Sequence, residues 1–249
     1  MYYPIFLDLR ERDCLVVGGG IVGTGKVSGL LEAGARVTVV APQISAQVTQ
    51  WYADGRLVWH AREFLVEDLD DQFLVIAATN NKALNAFVYQ LANRQQRVAN
   101  AVDDLDNCNF IAPAIASSGA VQVAVSTAGK SPALAKQLRD HIQHDLLKPE
   151  IAGLAEFLGQ WRPEVKRQLP TYPIRQAFWE SVLASMVPEL LAEGLPAAAE
   201  HAMQALLHTA HVAAITHAHS GMEALADPCT ESADTSIPKQ AHRKVRGSF

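Results

Sequence analysis

Three short stretches hold residues whose types and spacing can do chemistry. The first, Gly18-Gly19-Gly20-Ile21-Val22-Gly23, satisfies G-x-G-x-x-G. In such a turn Gly18 permits the tight bend and Gly20 lets backbone approach a pyrophosphate, while Gly23 lets a helix lie close to a strand. The helix start, Ile21-Val22, offers free N–H groups to phosphate oxygens. The second stretch is Asp103-Asp104, which follows the apolar run RVANAV. A carboxylate at the end of a strand can act as a general base, and a solvated acidic loop is the competing reading. The third is Ser126-Thr127-Ala128-Gly129-Lys130-Ser131, just before Pro132. Hydroxyls, unpaired N–H groups and a lysine at a helix start make an anion site, and Ser131 also reads as a plain N-cap.

Weaker candidates surround these. Pro42 and Gln43, after RVTVVA, could hold an adenosine through backbone contacts. No acid stands there to bind a ribose 2′-hydroxyl, and Arg36 comes too early for a 2′-phosphate. These residues alone leave NAD and NADP unseparated. Thr79 and Asn80 follow FLVIAA and Asn100 lies in RVANAV, so all three stand at strand ends, fit for ribose or nicotinamide. Asn80 equally suits a helix cap. Five of the nine histidines fall within 201–219. They read as incidental on an Ala-rich surface helix, and no Cys or His spacing elsewhere fits a metal site. Trp161, Arg162, Lys166, Arg167, Arg175 and Trp179 read as a solvated helix face with buried indoles.

The elements that must position these groups alternate. Apolar strands are expected at Cys14–Val17, Arg36–Val40, Leu57–His60, Phe73–Ala78 and Arg97–Val102, with Pro42 ending the second. Helices are expected at 21–33, 44–53 and 82–94. That rhythm predicts a doubly wound parallel sheet of the Rossmann-like kind. Val121–Ser126 reads as one more strand, followed by a helix from Pro132 to about Leu147. Beyond Pro149 the pattern is helical near 150–160, 173–185 and 196–214. The expected organisation is a dinucleotide-binding domain over 1–112, a small α/β segment over 113–149, a helical domain over 150–219 and a polar, disordered tail over 220–249.

Composition narrows the class. Of the 249 residues, 49% are hydrophobic and 19% are charged. That is enough apolar material for a core. The net charge is -5, which argues against nucleic acid as a partner. The chain has three cysteines. They do not make a disulfide framework and point to a reducing compartment. The opening MYYPIFLDLRERD lacks the features of a signal peptide, and no run of about 18 apolar residues predicts a membrane span. A cytoplasmic enzyme is expected.

The glycine turn, ANAVDD and VAVSTAGKSPALAKQLR, taken in order, resemble the precorrin-2 dehydrogenase/sirohydrochlorin ferrochelatase family, the N-terminal module of sirohaem synthase. PIFLDLRERDCLVVGGGIVGTGKVSGLLEAGARVTVVAP and FLVIAATNN are similar along their length, and the likeness covers about residues 1–215. Lys26 matches the family, whereas Gly23 stands where alanine is usual and Thr127 where the family carries a modifiable serine. The chain is too short to hold the methyltransferase half as well, which predicts the stand-alone form. The resemblance implies NAD-dependent oxidation of precorrin-2 to sirohydrochlorin, followed by insertion of ferrous iron as a substrate to give sirohaem. It implies Asp103 as the catalytic group, a tetrapyrrole as the ligand of the 126–131 loop, and a homodimer built through the middle segment. The rival reading is a dinucleotide-sensing regulatory module without chemistry, to which neither Asp103 nor the 126–131 loop is necessary.

Overall fold

The structure, a computed structural model, describes residues 2–223. The chain divides after Pro149 into two compact units.

In the first unit five strands form one parallel sheet. They are β1 (Asp13–Gly19), β2 (Arg36–Ile44), β3 (Leu57–His60), β4 (Leu74–Ala77) and β5 (Val98–Ala101), in the order β3-β2-β1-β4-β5. Three helices cross between them: α1 (Ile21–Glu32), α2 (Ala46–Ala53) and α3 (Lys82–Arg94). Side chains alternate along a strand, so both faces of this sheet must be apolar and covered. Val16, Val37, Val39, Leu74 and Ile76 pack with Val27 and Leu30 of α1 and Val48 of α2. Leu15, Val17, Val40, Val75 and Ala77 pack on the other face with Val88 and Ala92 of α3. The doubly wound sheet is thus as expected. Every strand runs in the same direction, so the carboxyl ends of β1, β2, β4 and β5 share one edge.

Pro42 does not end β2. The strand continues to Ile44, and the register jumps from Val17↔Val40 to Gly19↔Ile44. Pro42 lacks the N–H a ladder needs. The extra residues on β2 carry Pro42 and Gln43 out to the surface.

A hairpin follows the sheet, β6 (Ala114–Ser118) with β7 (Val121–Val125), antiparallel and separate from the sheet of five. The sequence predicts β7 but not β6, because AIASS is too small and polar to signal a strand. Gln143 supplies the missing partner for one residue of its edge, donating to Ser117 O at 3.0 Å and accepting from Ser117 N at 2.9 Å. Gln143 lies in a π-helical turn, Ile142–Leu146, that continues α4 (Pro132–His141). Ser131 caps α4 by accepting from Leu134 N at 3.2 Å, with Pro132 in the first turn. A hydroxyl cap followed by proline is the start that the sequence announces.

The second unit is helical: α5 (Pro149–Gln168), α6 (Tyr172–Leu183), α7 (Val187–Ala192) and α8 (Pro196–Glu223). Phe157, Val165, Phe178, Val182, Met203 and Leu207 form its core, and Trp161 and Trp179 pack against it. Two of the basic groups here are engaged locally. Arg167 pairs with Glu164, and Arg175 donates to Leu169 O and Pro170 O. His211 Nδ1 lies 3.0 Å from Gln168 O while His208 is exposed. The side chains of His217 and His219 lie outside the described residues. α8 extends to Glu223, and the remainder of the stretch read as a tail lies outside the described residues. Among the described residues no helix is long and apolar enough to cross a membrane, and no three His, Cys, Asp or Glu side chains group as a metal site.

Candidate dinucleotide and substrate site

The glycine turn sits where β1 gives way to α1. Gly18 has φ +113°, and a Cβ there would stand 2.5 Å from Ala78 O. Only glycine fits this junction with the β4 end. A Cβ on Gly23 would collide with Gly18 O, so the third glycine sets the close approach of α1 to β1. Nothing lies within 4 Å of a Cβ on Gly20, which leaves the approach to the helix start open. Gly20 caps α1 without a side-chain acceptor. The N–H groups of a first helical turn have no intrahelical partner. Such a terminus attracts a phosphate.

A cleft of about 630 Å³ opens over this turn. Its walls are Val17–Ile21, Val40–Ser45, Arg62–Phe64, Ala78–Asn81 and Leu84. Of the residues singled out from the sequence, Gly18, Gly20, Ile21, Pro42, Gln43 and Thr79 line it, as does Asn80. Val22 is half exposed beside it and Gly23 is spent on packing. Asn81, not Asn80, caps α3, accepting from Leu84 N at 3.1 Å.

Thr79 is held by a residue to which nothing in the sequence draws notice. Asn85 is the one polar residue buried as a whole among the described residues, 4% exposed. Its Oδ1 accepts from Thr79 N at 3.1 Å and Thr79 Oγ1 at 2.6 Å, and its Nδ2 donates to Thr79 O at 2.9 Å. These bonds fix the loop that forms one cleft wall. Asn85→Leu strands the Thr79 backbone groups, and an unpaired buried polar group costs about 1–3 kcal/mol. We expect a stability loss of that size in urea unfolding and weaker dinucleotide binding in the same variant.

Asp103 stands beyond the carboxyl end of β5. Val102 N donates to Ala77 O at 2.9 Å, which ties the strand end to β4 before the chain turns out. Asp103 is exposed, in the left-handed region at φ +59°. The turn around it is braced. Asp104 accepts from Asn107 Nδ2 at 2.8 Å, and Cys108 Sγ donates to Asp104 O at 2.9 Å. Asn100, outside the cleft walls, donates to Phe110 O at 3.0 Å and contacts Cys108 Sγ at 3.1 Å. Asn100, Asp104 and Cys108 therefore shape the loop, and Asp103 is left free on it. Burial, and then the Asp104 charge, pushes the Cys108 thiol up; burial raises that of Cys14 to about 11.

The 126–131 loop turns tightly before α4. Ser126 Oγ accepts from Ala128 N at 3.0 Å. Thr127 Oγ1 donates to Ser131 O and accepts from Ser131 N, both at 3.0 Å. Ala128 and Gly129 are left-handed, at φ +53° and +79°. Lys130 is exposed. A Cβ on Gly129 would stand 2.5 Å from a methyl of Leu105, two residues after Asp103. The structure thus brings the Asp103 turn and the 126–131 loop against one another. Their hydroxyls mostly shape the turn, leaving the Lys130 amine as its free charged group.

Three family models match the chain, one after another. A family model for NAD(P)-binding chains matches residues 5–114, one for the sirohaem biosynthesis protein central region 119–144, and one for the sirohaem synthase dimerisation region 150–207. Together these matches run through residues 5–207, and over that length the chain is similar to the sirohaem synthase family. Among relatives of this family, siroheme synthase 1 of Yersinia enterocolitica is 42% identical over 203 residues, 82% of this chain and 43% of that protein. Siroheme synthase of Neisseria meningitidis serogroup C is 44% identical over 179 residues, 72% of this chain and 37% of that protein. The chain spans less than half the length of these curated relatives. Among solved structures, SirC, precorrin-2 dehydrogenase, superposes with a TM-score of 0.65 at 29% identity, over 78% of this chain and 99% of that one.

Proposed function

We propose that the protein oxidises precorrin-2 to sirohydrochlorin with NAD, and that it then assists insertion of ferrous iron to give sirohaem. The supporting observation is the junction of a phosphate-ready glycine turn with an exposed, braced Asp103 on the carboxyl edge of one sheet. In sheets of this kind ligands bind outside that edge, where the strand order reverses. SirC, the structural neighbour that this chain covers almost whole, is named for the same oxidation.

The cleft fits the dinucleotide: a glycine turn packed too closely on Ala78 O for a side chain at Gly18, open space at Gly20, and unpaired N–H groups on α1. Gly18, Gly20, Ile21 and Val22 hold the pyrophosphate, Pro42 and Gln43 the adenosine, and Thr79 the nicotinamide side. Bound there, NAD supplies the acceptor for a hydride. Asp103 takes the proton that leaves the macrocycle as it is oxidised, so precorrin-2 gives up two electrons with its hydrogens. The same carboxylate accepts pyrrole N–H protons before a metal ion occupies the four nitrogens. Lys130 and the turn 126–131 hold the peripheral carboxylates. The dimerisation-region match supports a homodimer, and the free thiols of Cys14 and Cys108 fit a cytoplasmic enzyme.

The test is oxidation of precorrin-2 by the purified chain. NADH and sirohydrochlorin are expected to form in equal amounts, and added ferrous ion then yields sirohaem. A chain that binds NAD yet leaves precorrin-2 unoxidised overturns the proposal in favour of a sensor. Oxidation without metal insertion overturns the second half alone.

A further inference from the structure

We propose that Glu63 is the residue that selects NAD over NADP. This rests on the reading of the cleft as a dinucleotide site.

The cleft has two unlike ends. The β4 and β5 end leads toward Asp103. The other end lies where β2 finishes at Ile44 and β3 at His60. In a sheet of this order that end is the adenosine side. β2 carries no acid there, because its exposed turn is Pro42-Gln43. The acid comes instead from the loop after the neighbouring strand. Among the residues lining the cleft, Glu63 is the one carboxylate. No described side chain engages it.

The single cation of the cleft wall cannot greet a 2′-phosphate. Arg62 is committed to Asp68 through two bonds, at 2.8 and 2.6 Å, and its Nη1 also donates to Glu63 O at 3.0 Å. The Asp68 side chain is only 7% exposed. Burial favours its protonated form, yet Arg62 and the Leu65 N–H outweigh that and hold its carboxyl below the usual range. The pair is therefore charged and mutually neutralised. What remains at this end is the negative charge of Glu63. A ribose hydroxyl donates to such a group, whereas a phosphate dianion is repelled.

Dissociation constants of NAD and NADP, measured by calorimetry on the full chain without tetrapyrrole, test this. The unaltered protein is expected to hold NAD at least about tenfold more tightly, a gap of about 1.4 kcal/mol. Glu63→Gln is expected to weaken NAD, strengthen NADP and bring the two within about threefold. Glu63→Lys is expected to reverse the preference. Glu63 is exposed, so neither variant should move the thermal midpoint. NAD bound with its preference unchanged in both variants overturns the role of Glu63 while leaving the dinucleotide site standing. Failure of the unaltered chain to bind either dinucleotide overturns the site, and this role with it.

Discussion

Asp103→Asn is expected to slow precorrin-2 oxidation by about 10²–10⁴-fold, the range that a positioned acid–base group contributes. NAD affinity and the urea midpoint should stay unchanged. Asparagine is the informative replacement. Asp103 sits at φ +59°. Asn and Asp tolerate that conformation far better than other side chains. Alanine would add a backbone penalty of about 1–2 kcal/mol and blur the result. The loop does not need the Asp103 carboxylate for its shape, because Asp104, Asn107 and Cys108 make the bracing bonds. A rate that survives Asp103→Asn removes the general base from the scheme. Stopped-time assays with ferrous ion on the same variant show whether oxidation and metal insertion share the group: both fall if they do.

Gly18→Ala carries the second large effect, on fold and binding together. Its Cβ would sit 2.5 Å from Ala78 O and 2.7 Å from Ala78 C, at a φ of +113° that side chains rarely adopt. Strained backbone and overpacking each cost about 1–3 kcal/mol, so a loss of several kcal/mol is expected in urea unfolding. NAD binding should become undetectable, since relief of the clash must part β1 from the β4 loop. Gly20→Ala is the contrast. Its Cβ meets nothing within 4 Å. Packing is therefore undisturbed, and stability should fall by no more than about 1 kcal/mol, the cost of alanine in place of glycine at a helix N-cap. The added methyl occupies the pyrophosphate approach, so NAD should still weaken. Equal stability losses in the two variants would contradict this division.

Much of this was legible in the residues, for physical reasons. Cys14–Val17 and Phe73–Ala78 are continuous apolar runs and Arg36–Val40 is rich in β-branched residues, patterns that suit strands covered on both faces. Glycines at the first and third positions of the turn leave no alternative that packs. Ser131-Pro132 announces a helix start through its own chemistry. The rest depended on partners far away in the chain. β6 is a strand because β7 and Gln143 satisfy its backbone, not because AIASS favours one. The extension of β2 past Pro42 depends on a register jump opposite Gly19. Asn85 is polar on an otherwise ordinary amphipathic helix until Thr79 meets it. Arg62 and Glu63 join the cleft only once β3 lies beside β2, and the nearness of Gly129 to Leu105 joins two loops that look unrelated in sequence.

The described sulfur atoms carry a chemical consequence. Cys14 is wholly buried and Cys108 donates into the loop behind Asp103, and both thiols are pushed toward the neutral form. Neutral sulfur is a poor nucleophile and a poor ligand for soft cations. Neither position should react readily with peroxide or alkylating electrophiles in the folded state. For a chain proposed to pass iron into a pigment, that inertness removes a competing resting place for the ion.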